Sequence, residues 1–78
     1  MNDGLEDIEV RGLISKVLNR YVVITEEGGE YELSAIMPWE AVSPDFDSRR
    51  FAQELGRTMI VSGKSDGSTI WGARLHTP

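Results

Sequence analysis

The clearest hydrophobic pattern in the chain lies between Arg20 and Ile36. Tyr21-Val22-Val23-Ile24-Thr25 is a run of β-branched and aromatic residues, which suit a pleated, half-buried surface. After the glycine pair Gly28-Gly29, Tyr31, Leu33 and Ala35 alternate with Glu30, Glu32 and Ser34, the period of a strand with one face in and one face wet. The glycines supply the positive φ that a tight connection needs, so this stretch predicts a hairpin.

The same reading extends both ways. Upstream, Ile8 and Val10 alternate with Glu9 and Arg11. The parity becomes ambiguous after Gly12, where Leu13 and Ile14 are adjacent, and this predicts a first strand with a bulge or sharp bend. A bent first strand can pair on both sides, as a small closed barrel requires. The short Asn19-Arg20 connection makes strands one and two antiparallel neighbours. Downstream, Pro38 and Pro44 exclude a central strand from 37–48. Ser43-Pro44 and Asp47-Ser48 both read as helix starts, and a short helix is predicted over Ser48 to Leu55. Phe51, Ala52 and Leu55 would share its buried face, and Gly56 would cap it. So short a helix must be packed, as a plug over one end of the barrel. Arg57 to Gly63 is a fourth strand. Asp66-Gly67 marks a hairpin, and Ser68 to His76 is a fifth strand with a bend at Gly72. Residues 1–7 have little to bury and are expected to form a flexible tail ahead of a single domain, 8–78.

The predicted fold is all-β with one short helix: a five-stranded Greek-key barrel in the order β1-β2-β3-α-β4-β5. That order is the order of the OB-fold. The skeleton Val10-Arg11-Gly12, Tyr31-Glu32-Leu33, Leu55 to Gly63, Asp66-Gly67 and Ile70 resembles small bacterial OB-fold proteins over residues 8–76. The resemblance implies a binding module with its ligand face on strands two and three and the loops between strands one–two and four–five. The aromatic RNA-binding motifs of the cold-shock proteins are missing. So is the histidine followed by a tyrosine of the haem-chaperone OB domains, where this chain reads His76-Thr77-Pro78. The periplasmic OB-fold family carries a secretion signal that has no counterpart here.

Composition narrows the function. The chain has 78 residues and no cysteine, which removes disulfide and zinc-thiolate staples from a small core. Its net charge is −5, with eight acids and three bases in residues 1–32 and five of each after that. An acidic balance counts against nucleic-acid binding without vetoing it, because a basic patch can be local. No apolar run reaches a membrane span and the start is acidic, so the expected location is cytoplasmic, with no membrane partner. No nucleophile–base pair or metal set is visible, so the expectation is a non-enzymatic protein without cofactor or metal. His76 lacks ligand partners, the hairpin acids lack a calcium-loop pattern, and Gly63-Lys64-Ser65 lacks the upstream glycine of a phosphate loop.

Two alternative binding sites are candidates, for single-stranded nucleic acid or for a protein partner. For single-stranded nucleic acid, the stacking and phosphate-binding candidates are Lys16, Arg20, Tyr21, Lys64, Trp71 and Arg74. For a basic protein partner, the candidates are Glu26, Glu27, Glu30 and Glu32, which otherwise act as charge protection for a hairpin. The ordinary reading of the first set is that Trp71 packs the wall and Arg20 is solvated. Trp39 reads as a lid on the barrel base, and Arg49-Arg50 as a small solvated basic patch.

Overall fold

A computed structural model describes residues 4–42 and 49–78. Five strands and one short helix follow in the order β1 (Glu6–Val17), β2 (Arg20–Thr25), β3 (Glu30–Leu33), α1 (Arg49–Ala52), β4 (Thr58–Ser65) and β5 (Thr69–His76). The strands form one sheet that closes into a ring, β1-β2-β3-β5-β4 and back to β1. Neighbours are antiparallel except for the parallel β3–β5 pair.

The ring closes because β1 serves two neighbours. Its first part, Glu6 to Leu13, pairs with β4, and its second, Gly12 to Val17, pairs with β2. No bulge interrupts either ladder. The expected bulge at Gly12 is therefore corrected. Ile8, Val10, Gly12 and Ile14 keep one parity and face inward, while Leu13 turns out and is 42% exposed. Gly12 matters as a point of close approach: a Cβ there would lie 2.2 Å from the Ile24 carbonyl oxygen. The irregularity sits instead between β4 and β5, where Gly63 alone opposes Gly72 and Ala73. Gly72 takes a φ of 58°, the left-handed glycine of a bulge.

The ring is filled by Ile14, Val23, Leu33, Met59, Val61, Ile70 and Ala73 from the strands, with Phe51 from α1 among them. Of the expected plug, the structure shows Phe51 of α1 inserted in the core cluster and 1% exposed. The helix is shorter than expected. Its exit tightens through i to i−3 bonds (Glu54 to Phe51, Leu55 to Ala52, Arg57 to Glu54). Leu55 consequently falls off the buried face and is 41% exposed. Gly56, at φ 83°, ends the turn and donates its N–H to the Ile14 carbonyl at 2.8 Å. The helix-start residues Ser43, Pro44, Asp47 and Ser48 lie outside the described residues. At the other end of the chain, β1 begins at Glu6, so Glu6 and Asp7 belong to the sheet rather than to the expected tail. Trp39 is 63% exposed and is not a lid over the core.

Candidate functional site

The inner faces of β2 and β3 carry Tyr21, the aromatic expected to stack on a ligand from these strands, and Tyr31. Tyr21 packs against the core with its ring 6.1 Å from that of Phe51, and Tyr31 packs against the same cluster. Lys16 stands directly across the β1–β2 ladder from Tyr21 and holds its ammonium 5.3 Å from the ring centroid, a cation–π contact at the end of the ring. Arg20 points to the outer face, where its guanidinium donates to Glu32 at 3.2 Å. The outer face of β2–β3 therefore presents a neutralised Arg20, Glu30 and Glu32, with both tyrosines turned inward. On strands two and three the tyrosine rings pack on the core instead of lying on the outer face.

The other three candidates meet on a different surface, the outer face of β1, β4 and β5. Register builds it in rows. Asp7 stands opposite Lys64, which stands opposite Trp71; Glu9 stands opposite Ser62, which stands opposite Arg74. Strict alternation from the buried Ile70 would place Trp71 outside and Arg74 inside. The extra residue at Gly72-Ala73 resets the parity, so Ala73 is buried and Arg74 emerges beside Trp71. This face carries an open groove of about 840 Å³, lined among others by Asp7, Glu9, Met37, Arg50, Lys64, Trp71 and Arg74.

Trp71 is half-buried in this groove, and its indole N–H donates to Asp66 Oδ2 at 3.3 Å. Asp66 is itself fixed by the β4–β5 turn: its Oδ1 accepts from the Ser68 and Thr69 amides at 3.0 and 2.9 Å and from the Ser68 hydroxyl at 3.2 Å. Those backbone donors, helped by the indole, favour the ionised carboxylate and lower its pKa from 3.8 to about 2. The turn and the indole are thus one hydrogen-bonded unit. Lys64 is partnered by Asp7, Nζ to Oδ1 at 2.7 Å. Arg74 takes part in none of the ion pairs found among the described residues.

Asp7, Glu9 and Ser62 of this face were not singled out as ligand-binding from the sequence. Asp7 and Ser62 look like ordinary polar positions of a half-wet strand, and only the β1–β4–β5 register brings them beside Lys64 and Arg74. The Ser62 hydroxyl is hydrogen-bonded to His76 Nε2 at 3.1 Å, on an exposed strand end. Among the described residues, no three His, Cys, Asp or Glu side chains converge where a metal ion could be held. No described helix is long and apolar enough to cross a membrane.

The acidic candidates lie at the β2–β3 connection. Thr25 organises it, accepting the Gly29 N–H at its hydroxyl (2.9 Å) and the Gly28 N–H at its carbonyl (2.9 Å). Gly28 takes the positive φ of 91°. Glu26 reaches Arg11 at 3.7 Å and Glu32 reaches Arg20, so the hairpin is partly neutralised from neighbouring strands. Glu27 and Glu30 enter none of the ion pairs among the described residues. No protein-family model, no curated protein and no solved structure matches this chain.

Proposed function

We propose that this protein is a non-enzymatic OB-type binding module that takes single-stranded nucleic acid in the groove over Trp71. The fold assignment is supported by the strand order, with β1 shared between β2 and β4 and with a parallel β3–β5 closure. The observation that carries the ligand reading is the convergence of Lys64, Trp71 and Arg74 on one groove. An indole held by its own hydrogen bond is a platform on which any base stacks, worth about 1–3 kcal/mol per base. Lys64, directly opposite Trp71 in the same row, and Arg74, in the next row, would meet the phosphates beside that base. The overall charge of −5 opposes a long polyanion. The fitting ligand is therefore a short single-stranded segment bound with modest affinity.

The test is an amide NMR titration with a mixed-sequence DNA oligonucleotide at low salt. Shifts gathered on β4, β5 and the turn between them are expected, and Trp71→Ala should weaken binding about tenfold or more. A spectrum that stays silent while the domain remains folded would overturn the reading. It would pass the function to a second one, the docking of a basic protein segment on the acidic β2–β3 hairpin. That reading is favoured by the exposure of Glu27 and Glu30, and charge reversal at both should then abolish binding of a lysine-rich peptide.

A further inference from the structure

Resting on the groove reading above, we infer that Asp7 is a built-in competitor for the phosphate that Lys64 is placed to bind, and so sets the affinity of the site. Lys64 stands in the middle of a row, with the Trp71 indole on one side and the Asp7 carboxylate on the other. The Asp7 oxygen lies 2.7 Å from Nζ, the position a phosphate oxygen would take in a charge-assisted hydrogen bond. Among the described residues, Arg74 has no such occupant. The residue opposite it is Ser62, whose hydroxyl is bonded to His76. Of the cations lining the groove, Lys64 already holds an anion, whereas Arg74 enters none of the ion pairs among the described residues.

The pair is built to yield. The Asp7 side chain is 88% exposed and that of Lys64 48%, and exposed ion pairs contribute about 0–1 kcal/mol. Asp7 also lies in the part of β1 that pairs with β4 alone, because the β2 ladder starts only at Gly12. A ligand phosphate displaces Asp7 at small cost, and the carboxylate lowers affinity without closing the groove. A protein carrying this residue releases its ligand more readily than the groove alone would dictate.

The experiment measures binding of a fluorescein-labelled oligothymidine from low to moderate salt for the wild type, Asp7→Asn, Lys64→Gln, the double variant and Trp71→Ala. Glu27→Gln, on the β2–β3 connection and outside the groove lining, controls for the loss of one negative charge. Asp7→Asn is expected to bind about fivefold tighter, the fold-change that corresponds to about 1 kcal/mol. Its plot of log affinity against log salt should be steeper by up to about 0.7, because in the wild type the displaced Asp7 carboxylate takes up a cation and offsets the counterion released by the phosphate on Lys64. Both gains should vanish in the Lys64→Gln background, and Glu27→Gln should show neither.

A role confined to cross-strand stability would lower the urea midpoint of Asp7→Asn and leave the salt slope unchanged. That result overturns the inference, as does an equal gain with or without Lys64. If the wild type binds, Trp71→Ala abolishes binding and Asp7→Asn brings no gain, the competitor falls while the site stands. If neither the wild type nor Asp7→Asn binds, both fall.

Discussion

At the scale of single residues, the glycines of this chain do different work. Gly12 and Gly28 show how to tell them apart. At Gly12 the constraint is space. An added Cβ would meet the Ile24 carbonyl oxygen at 2.2 Å, its carbon at 2.7 Å and Thr25 Cα at 2.8 Å, all of them backbone that the β1–β2 ladder holds in place. At Gly28 nothing lies within 4 Å of such a Cβ, and the constraint is the φ of 91° alone. Gly12→Ala should therefore cost about 3 kcal/mol or more, since the ring must open where β1 passes from one partner to the other. Gly28→Ala should cost about 1 kcal/mol, the penalty of a left-handed alanine in an exposed turn. Urea denaturation of the two variants checks the order, and an equal loss at both would show that the β1–β2 approach is not tight. Leu18 also adopts a positive φ, 59°, at the tip of the first hairpin while 89% exposed; nothing in the structure explains why a leucine stands there.

The hairpins were the part of the molecule most legible in the sequence. Gly28 and Asp66-Gly67 announce their turns, and the alternation of Tyr31, Leu33 and Ala35 gives the inward face of β3 without any tertiary knowledge. The site was less legible, for two physical reasons. Which side chains share a face depends on register across strands far apart in the chain, as with Asp7 and Lys64. It also depends on bulges, and one extra residue at Gly72-Ala73 reverses the side on which Arg74 emerges. Tyr21 was misplaced for a related reason: an aromatic on a strand reads alike inward or outward until Phe51 is known to fill the ring beneath it. At this scale the β4–β5 turn makes its own prediction. The Asp66 carboxylate is held ionised down to about pH 2 by its backbone donors, below the ordinary 3.8. A depressed carboxylate contributes stability that is complete above its unfolded pKa and is lost as pH falls toward its folded one. Thermal melts should thus show an acid-side loss between about pH 4 and pH 2 that is reduced in Asp66→Asn. An identical acid limb in the variant would show that the turn does not depend on the charge. Above pH 5 the ligand affinity should not follow Asp66, because its protonation state is constant there.

The molecule as a whole is a ring with few buried side chains, and its stability cannot be divided among its strands. Each strand has two partners in the closed order, and the eight buried side chains of the core cluster come from all five strands and the helix. Phe51 is the one helical member, brought in from the connection between β3 and β4, which also buries Ser34 and Ile36. It touches the Tyr21 ring, above which Lys16 lies, so its removal exposes one end of the ring and loosens the first hairpin together with the plug. Truncating a fully buried phenylalanine costs about 3–5 kcal/mol. A domain of 78 residues without disulfides is stabilised by about 5–10 kcal/mol at most. Phe51→Ala should thus consume about half or more of the stability and lower every probe of folding together. The check is to follow urea unfolding by far-ultraviolet circular dichroism and by the near-ultraviolet signal of the tryptophans. Coincident transitions at a lower midpoint are expected. A variant that lost the helix but kept the sheet at its original midpoint would mean that the five strands close on themselves without the plug, and that α1 is an accessory of the ring rather than part of its core.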